Sequence, residues 1–109
     1  MKQIDATNIL KTMNWMMSVD ENNQTSLEPI LNKQGMYECD INLSLIEKTV
    51  IGIGASKIES IDNATTKAAQ LIDEFLEKNP SFIIQDFFRT NKCVLEESDK
   101  GFLSIEITH

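Results

Sequence analysis

The strongest constraint on this chain is a change of hydrophobic period at Ser56. Upstream, residues 36–45 (MYECDINLSL) set Tyr37, Cys39, Ile41, Leu43 and Leu45 against Glu38, Asp40, Asn42 and Ser44. Strict alternation of this kind predicts a half-buried strand. Glu47-Lys48 then turns the chain into TVIGIG, a second β-branched run that closes on Gly52 and Gly54. Beyond Ser56 no glycine or proline follows until Pro80. Ser56 with Glu59 three residues on is a capping box, whose side chains satisfy free N–H groups of a first helical turn. A helix is therefore expected from Ser56 to about Lys78, because Asn79-Pro80 cannot continue it.

Shorter signals flank this frame. Residues 5–17 (DATNILKTMNWMM) place Ile9, Leu10, Met13, Met16 and Met17 at helical spacing, with Asp5 or Thr7 as candidate N-cap. The methionine stripe and Trp15 read as core. Residues 20–26 form a polar linker, and LEPILNK after it reads as a short strand that Pro29 confines to an edge or a strand start. Lys33-Gln34-Gly35 reads as a turn. Ile83, Ile84, Phe87 and Phe88 share one face at helical spacing, so a short helix is expected to open at Pro80. CVLEE and FLSIEITH flank the turn signal Ser98-Asp99-Lys100-Gly101 and predict a closing hairpin.

Composition narrows the function classes. With 109 residues, 41% of them apolar, the chain suits a single domain over residues 1–109. No apolar run approaches the roughly 20 residues needed to span a bilayer, so a cytoplasmic protein without membrane partners is expected. Cys39 and Cys93 are far apart with no CxxC or Cys/His cluster, which argues for free thiols in a reducing compartment and no metal site. Ten basic against 17 acidic residues give a formal charge of −7, a field that repels nucleic acid unless cations cluster on one face. The only histidine is His109, no Ser or Cys has an evident base, and Asp73-Glu74, Glu77 and Glu96-Glu97 read as solvated faces. Neither enzymatic activity nor a cofactor is expected.

The glycines at 52 and 54 invite a phosphate reading, since bare N–H groups and a helix N-terminus attract anions. A dinucleotide fingerprint would need a third glycine near Lys57, and an NTP loop would need Gly-Lys-Ser/Thr after a four-residue spacer; neither is present. The bland reading is that glycine at a strand end serves a close approach of backbones. Taken with its surroundings, Gly52-Ile53-Gly54-Ala55-Ser56-Lys57 followed by a long Ala-containing helix resembles the double-stranded RNA-binding domain, whose motif is G-x-G-x-S-K-K-x-A-K. The resemblance covers residues 5–78 and leaves 79–109 as a C-terminal extension. Gly52, Gly54, Ser56 and Lys57 match, and Ala64 falls on a small-residue position. The family's second and third lysines fall on Ile58 and Ile61, and the loop at Lys33-Gln34-Gly35-Met36 is short and lacks the histidine often seen there.

That resemblance implies an α+β fold of order α-β-β-β-α, a three-stranded antiparallel sheet with both helices on one face. The extension of short helix and hairpin would lengthen or cover that sheet. It also implies RNA or phosphate contact through Gly54, Ser56 and Lys57, with Lys48 and Lys67 as further lysines that the fold might gather. Against this, four lysines stand against eight acidic residues between positions 35 and 80. Two helix phases are open. One buries Ser60, Ala64, Ala68, Leu71 and Phe75 and exposes Ile58, Ile61 and Thr65 as an apolar strip; the other buries Ile58, Ile61, Ala68, Ile72 and Phe75. In the first, Ile58, Ile61 and Thr65, with Phe87 and Phe88 near or over them, are interface candidates for a protein partner or a homodimer. Protein interaction or self-association is thus the favoured function, and binding of double-stranded RNA the alternative.

Overall fold

A computed structural model describes residues 2–5, 7–19, 27–84, 92–97 and 103–108. The chain is α+β, and the order α-β-β-β-α runs through its middle. The elements are β1 (Lys2–Asp5), α1 (Thr7–Val19), β2 (Ile30–Leu31), β3 (Tyr37–Leu43), β4 (Lys48–Gly54), α2 (Lys57–Lys78), β5 (Lys92–Glu97) and β6 (Leu103–Thr108). They form two three-stranded antiparallel sheets, ordered β2-β3-β4 and β1-β5-β6.

The period change at Ser56 is realised as expected. Strands β3 and β4 pair from Tyr37↔Gly54 to Leu43↔Lys48, and Cys39, Ile41, Leu43 and Val50 point into the core. The alternation stops sooner than the sequence suggests. Residues 44–47 form a turn in which Ile46 N–H donates to Leu43 O and Glu47 N–H to Ser44 O, with Glu47 at φ 60°, so Leu45 is exposed rather than inward. The weak strand beyond Pro29 exists as the edge strand β2. Gly35, at φ 78°, makes the tight turn into β3, and the Asn32 side chain accepts from the Gln34 and Met36 N–H groups.

Helix α2 lies across β3 and β4, and α1 packs beside it. It buries Ile58, Ser60, Ile61, Ala64, Thr65, Ala68, Ala69 and Ile72. This stripe is wide enough to contain most of both expected phases. Ile58 and Ile61 are 0% and 2% exposed and Thr65 is 0% exposed, so these three are core residues and not an interface strip. The Thr65 hydroxyl donates to Ile61 O of the preceding turn, which lets a polar group sit there without penalty. Every buried side-chain nitrogen and oxygen among the described residues has a hydrogen-bond partner.

Trp15, 1% exposed, is a core residue as read. Past α2 the Asn79 N–H donates to Leu76 O and its amide Nδ2 to Phe75 O, while its carbonyl accepts from Phe82 N–H. This turn swings Phe82 onto Trp15 and Phe75, with ring centroids 5.8 and 5.2 Å away. The expected helix from Pro80 does not open there: residues 80–81 turn, residues 82–84 are irregular, and the rest of that segment, Phe87 and Phe88 included, lies outside the described residues.

The closing hairpin forms, pairing Lys92↔Thr108 through Glu97↔Leu103. It does not lengthen the β2-β3-β4 sheet. It pairs with β1, a strand too short to register as a sequence pattern, from Lys2↔Glu97 to Asp5↔Val94. Asp5 therefore belongs to a strand, and α1 begins after it.

The helix phase has a direct consequence for the pair Ile58→Lys, Ile61→Lys. Truncating one buried isoleucine costs about 2–5 kcal/mol, and a domain of this kind has only about 5–15 kcal/mol to lose. The double variant, which also buries two ammonium groups, should show no cooperative thermal transition by far-UV circular dichroism. A cooperative melt near the wild-type midpoint would show that both side chains face solvent.

Candidate functional site

The predicted phosphate site sits where β4 passes under the first turns of α2. Both glycines are explained by that crossing. A Cβ on Gly52 would lie 2.7 Å from Ala64 Cα and closer still to Ala64 N and Ser60 O; one on Gly54 would lie 2.5 Å from Glu59 Cβ and 2.8 Å from Ser60 N. Neither glycine needs a positive φ. They serve close backbone approach, as the bland reading held.

At the helix start, Ser56 is the N-cap, and its Oγ accepts from Glu59 N–H at 3.2 Å. Glu59 does not complete the reciprocal bond of a capping box; its carboxylate lies 3.4 Å from the Ser56 hydroxyl. The positive end of the helix is thus already faced by the chain's own carboxylate. Lys57 is partly exposed, and its carbonyl is taken by the Ser60 hydroxyl at 2.7 Å.

The other lysines are not gathered around it. Lys48 opens β4 six residues before Gly54, about 20 Å away along an extended strand. Lys67 is ten residues, about 15 Å, along α2 from Lys57. Its Nζ donates to Ile51 O at 2.8 Å, and Asn63 Nδ2 donates to Ile53 O at 2.8 Å. These two side chains cap carbonyls on the edge of β4 that pairs with no described strand. Helix α2 carries three lysines, Lys57, Lys67 and Lys78, against Glu59, Asp62, Asp73, Glu74 and Glu77. Lys11 reaches Asp73 in an exposed ion pair at 2.9 Å.

Cys39 is fully buried, and that burial, with the Asp40 carboxylate beside it, pushes its thiol pKa from 9.0 to about 11. A thiol held neutral in this way is a packing group rather than a nucleophile. Cys93 has no described side chain. No group of three or more His, Cys, Asp or Glu among the described residues is placed to hold a metal ion, and no described helix is long and apolar enough to cross a membrane.

The surface that stands out is the outer face of the β2-β3-β4 sheet. Alternation turns Ile51 and Ile53 outward at 44% and 47% exposure, opposite in parity to Val50, Gly52 and Gly54. In register with them run Ile30↔Glu38↔Ile53 and then Asp40↔Ile51, and Ile30 is 61% exposed. The sequence reading did not single out these isoleucines. The signal was present: where glycines take the inward positions of a strand, its large residues must face out.

Comparison with known proteins adds no relative, since no family model, curated protein or solved structure matches the chain.

Two outcomes follow from this geometry. Gly52→Ala should destabilise the fold by about 1–3 kcal/mol or more, since the added methyl meets helix backbone rather than a mobile side chain, and chemical denaturation reads the loss. For Cys39 the folded-state pKa lies above the unfolded one, so its contribution is fully present below pH 9 and is lost as pH rises from 9.0 to about 11. In a Cys93→Ser background, stability should fall over that window more steeply than in Cys39→Ala, Cys93→Ser, and Cys39 should resist a thiol reagent at neutral pH until the chain unfolds.

Proposed function

We propose that this protein is a small non-enzymatic module that works by binding another protein, on a frame resembling the double-stranded RNA-binding domain but not using its RNA contacts. The observation that carries this reading is the outward isoleucine set Ile30, Ile51 and Ile53 on an otherwise polar sheet face. Grouped aliphatic surface on a small domain marks a contact with a partner. The contact is moved from where the sequence put it, because Ile58, Ile61 and Thr65 are interior.

Most of the features that would support RNA binding are engaged otherwise. The glycines fit backbone to backbone, Ser56 and Glu59 close the helix start, and Lys67 caps Ile51 O. The lysines left are spread along the β4–α2 seam among carboxylates, so few counterions would be released on any one phosphate groove. A free, buried Cys39 fits a reducing compartment, the cytoplasm.

Duplex RNA titrated at low and moderate salt should bind no tighter than the non-specific range, about 1 μM or weaker at physiological salt. A photo-crosslinking residue in place of Ile51 should capture a protein that the same residue in place of Glu74, on the acidic face of α2, does not. Saturable duplex binding that Lys57→Ala weakens together with its salt slope would overturn the reading in favour of RNA.

A further inference from the structure

The two edges of the β2-β3-β4 sheet differ in how they discourage a further strand. Protein sheets blunt an edge by shortness, proline, charge, a bulge or a covering element. The β2 edge has the first two, being two residues long and directly after Pro29. The β4 edge has neither. It runs seven residues, pairs with β3 in one unbroken register and pairs with no described strand on its other side. From Thr49 to Gly54 it carries no charge and no proline, the composition of a segment that recruits other strands.

Its outward carbonyls are occupied from α2. Lys67 Nζ donates to Ile51 O and Asn63 Nδ2 to Ile53 O, each at 2.8 Å, where the N–H groups of an added strand would sit. The spacing suits one helix face: four residues of helix rise about 6 Å, and two residues of strand about 6.8 Å. A residue's N–H and C=O point to the same side of an antiparallel strand, so Ile51 and Ile53 turn both groups away from β3. An added strand would have to pair with these two residues. It would displace both donors and lay its backbone, about 4.8 Å from β4, over the exposed Lys67 ammonium. Stripping water from an unpaired ammonium is costly.

We infer that Asn63 and Lys67 are a guard on the β4 edge, closing it to the β4 strand of a second copy of this chain. A second copy presents the same uncharged edge, and β4 against β4 opposes no carboxylates, since the one charge of the strand is Lys48. The inference is independent of the protein-binding reading, which concerns the outer face of the sheet and not its edge.

The test compares the full wild-type chain with Asn63→Ala, Lys67→Ala by sedimentation equilibrium. Both positions are exposed, so circular dichroism should be unchanged, while self-association should strengthen by about tenfold or more. In the associated variant the Ile51 and Ile53 amides should exchange with solvent more slowly than in the wild type. Adding Ile53→Pro, which removes an outward N–H, should return the wild-type sedimentation. Lys67→Met alone, which keeps the aliphatic stem, should shift association in the same direction and serves if the double variant loses its fold. Sedimentation of the unguarded variants identical to that of the wild type would overturn the guard, as would association that leaves the Ile51 and Ile53 amides unprotected. Lys78→Ala removes the same charge from the far end of the same helix; association as strong as that of the double variant would make lost charge the cause and overturn the inference.

Discussion

The close crossing of β4 beneath α2 is the contact on which the rest of this structure depends. Gly52 and Gly54 bring the strand backbone against Glu59, Ser60 and Ala64, where any side chain would collide. With strand and helix this near, the inward face of β4 has little volume to offer beyond Val50. Ile58, Ile61 and Ile72 from the helix, with Ile41 and Leu43 from β3, supply the bulk instead. The outward positions of β4 then receive its isoleucines. One spacing thus explains why Ile58 and Ile61 are inside and why Ile51 and Ile53 are outside.

The same crossing accounts for what the polar residues of α2 do. Held close to the edge of β4 that pairs with no described strand, Asn63 and Lys67 reach Ile53 O and Ile51 O one helical turn apart. Unpaired edge carbonyls are a template for adventitious strand pairing, and two side chains from the neighbouring helix cover them. A lysine that would count toward an anion site by composition is thereby spent on the sheet's own backbone.

How much of this was legible in the sequence depends on whether a pattern was local. Strands β3 and β4, the Ser56 cap and the length of α2 follow from alternation, a capping residue and a proline, and the structure keeps them. The phase of α2 was ambiguous because both stripes share Ala68 and Phe75, and the helix in fact buries residues from each, a breadth set by neighbours on two sides rather than by its own periodicity. Strand β1 was illegible: KQID has no alternation to show, and it is a strand because β5 pairs with it. At the candidate site the glycines carried their meaning as a close approach, and their parity already implied outward isoleucines. The separation of Lys48, Lys57 and Lys67 could be known only once strand and helix were laid side by side.

Helix α1 completes the account of which surfaces remain. It touches both α2 and β5, and Ile9, Leu10, Thr12, Asn14, Trp15 and Met16 are all buried. A helix covered on more than one side needs apolar residues around most of its circumference, and Thr12 fits because its hydroxyl donates to Asn8 O. Trp15 is closed over by Phe75 and Phe82 at the far end of α2. Among the described residues, both helices therefore spend most of their apolar side chains internally. What α2 leaves to solvent is polar or charged: Glu59, Asn63, Thr66, Lys67, Gln70, Asp73, Glu74, Glu77 and Lys78. Leu45 in its turn and Ile83 beyond α2 are exposed singly, which is ordinary for a protein surface. Among the described residues, the aliphatic side chains that remain both exposed and grouped are those of the sheet β2-β3-β4, placed there by the glycines that let helix and strand meet.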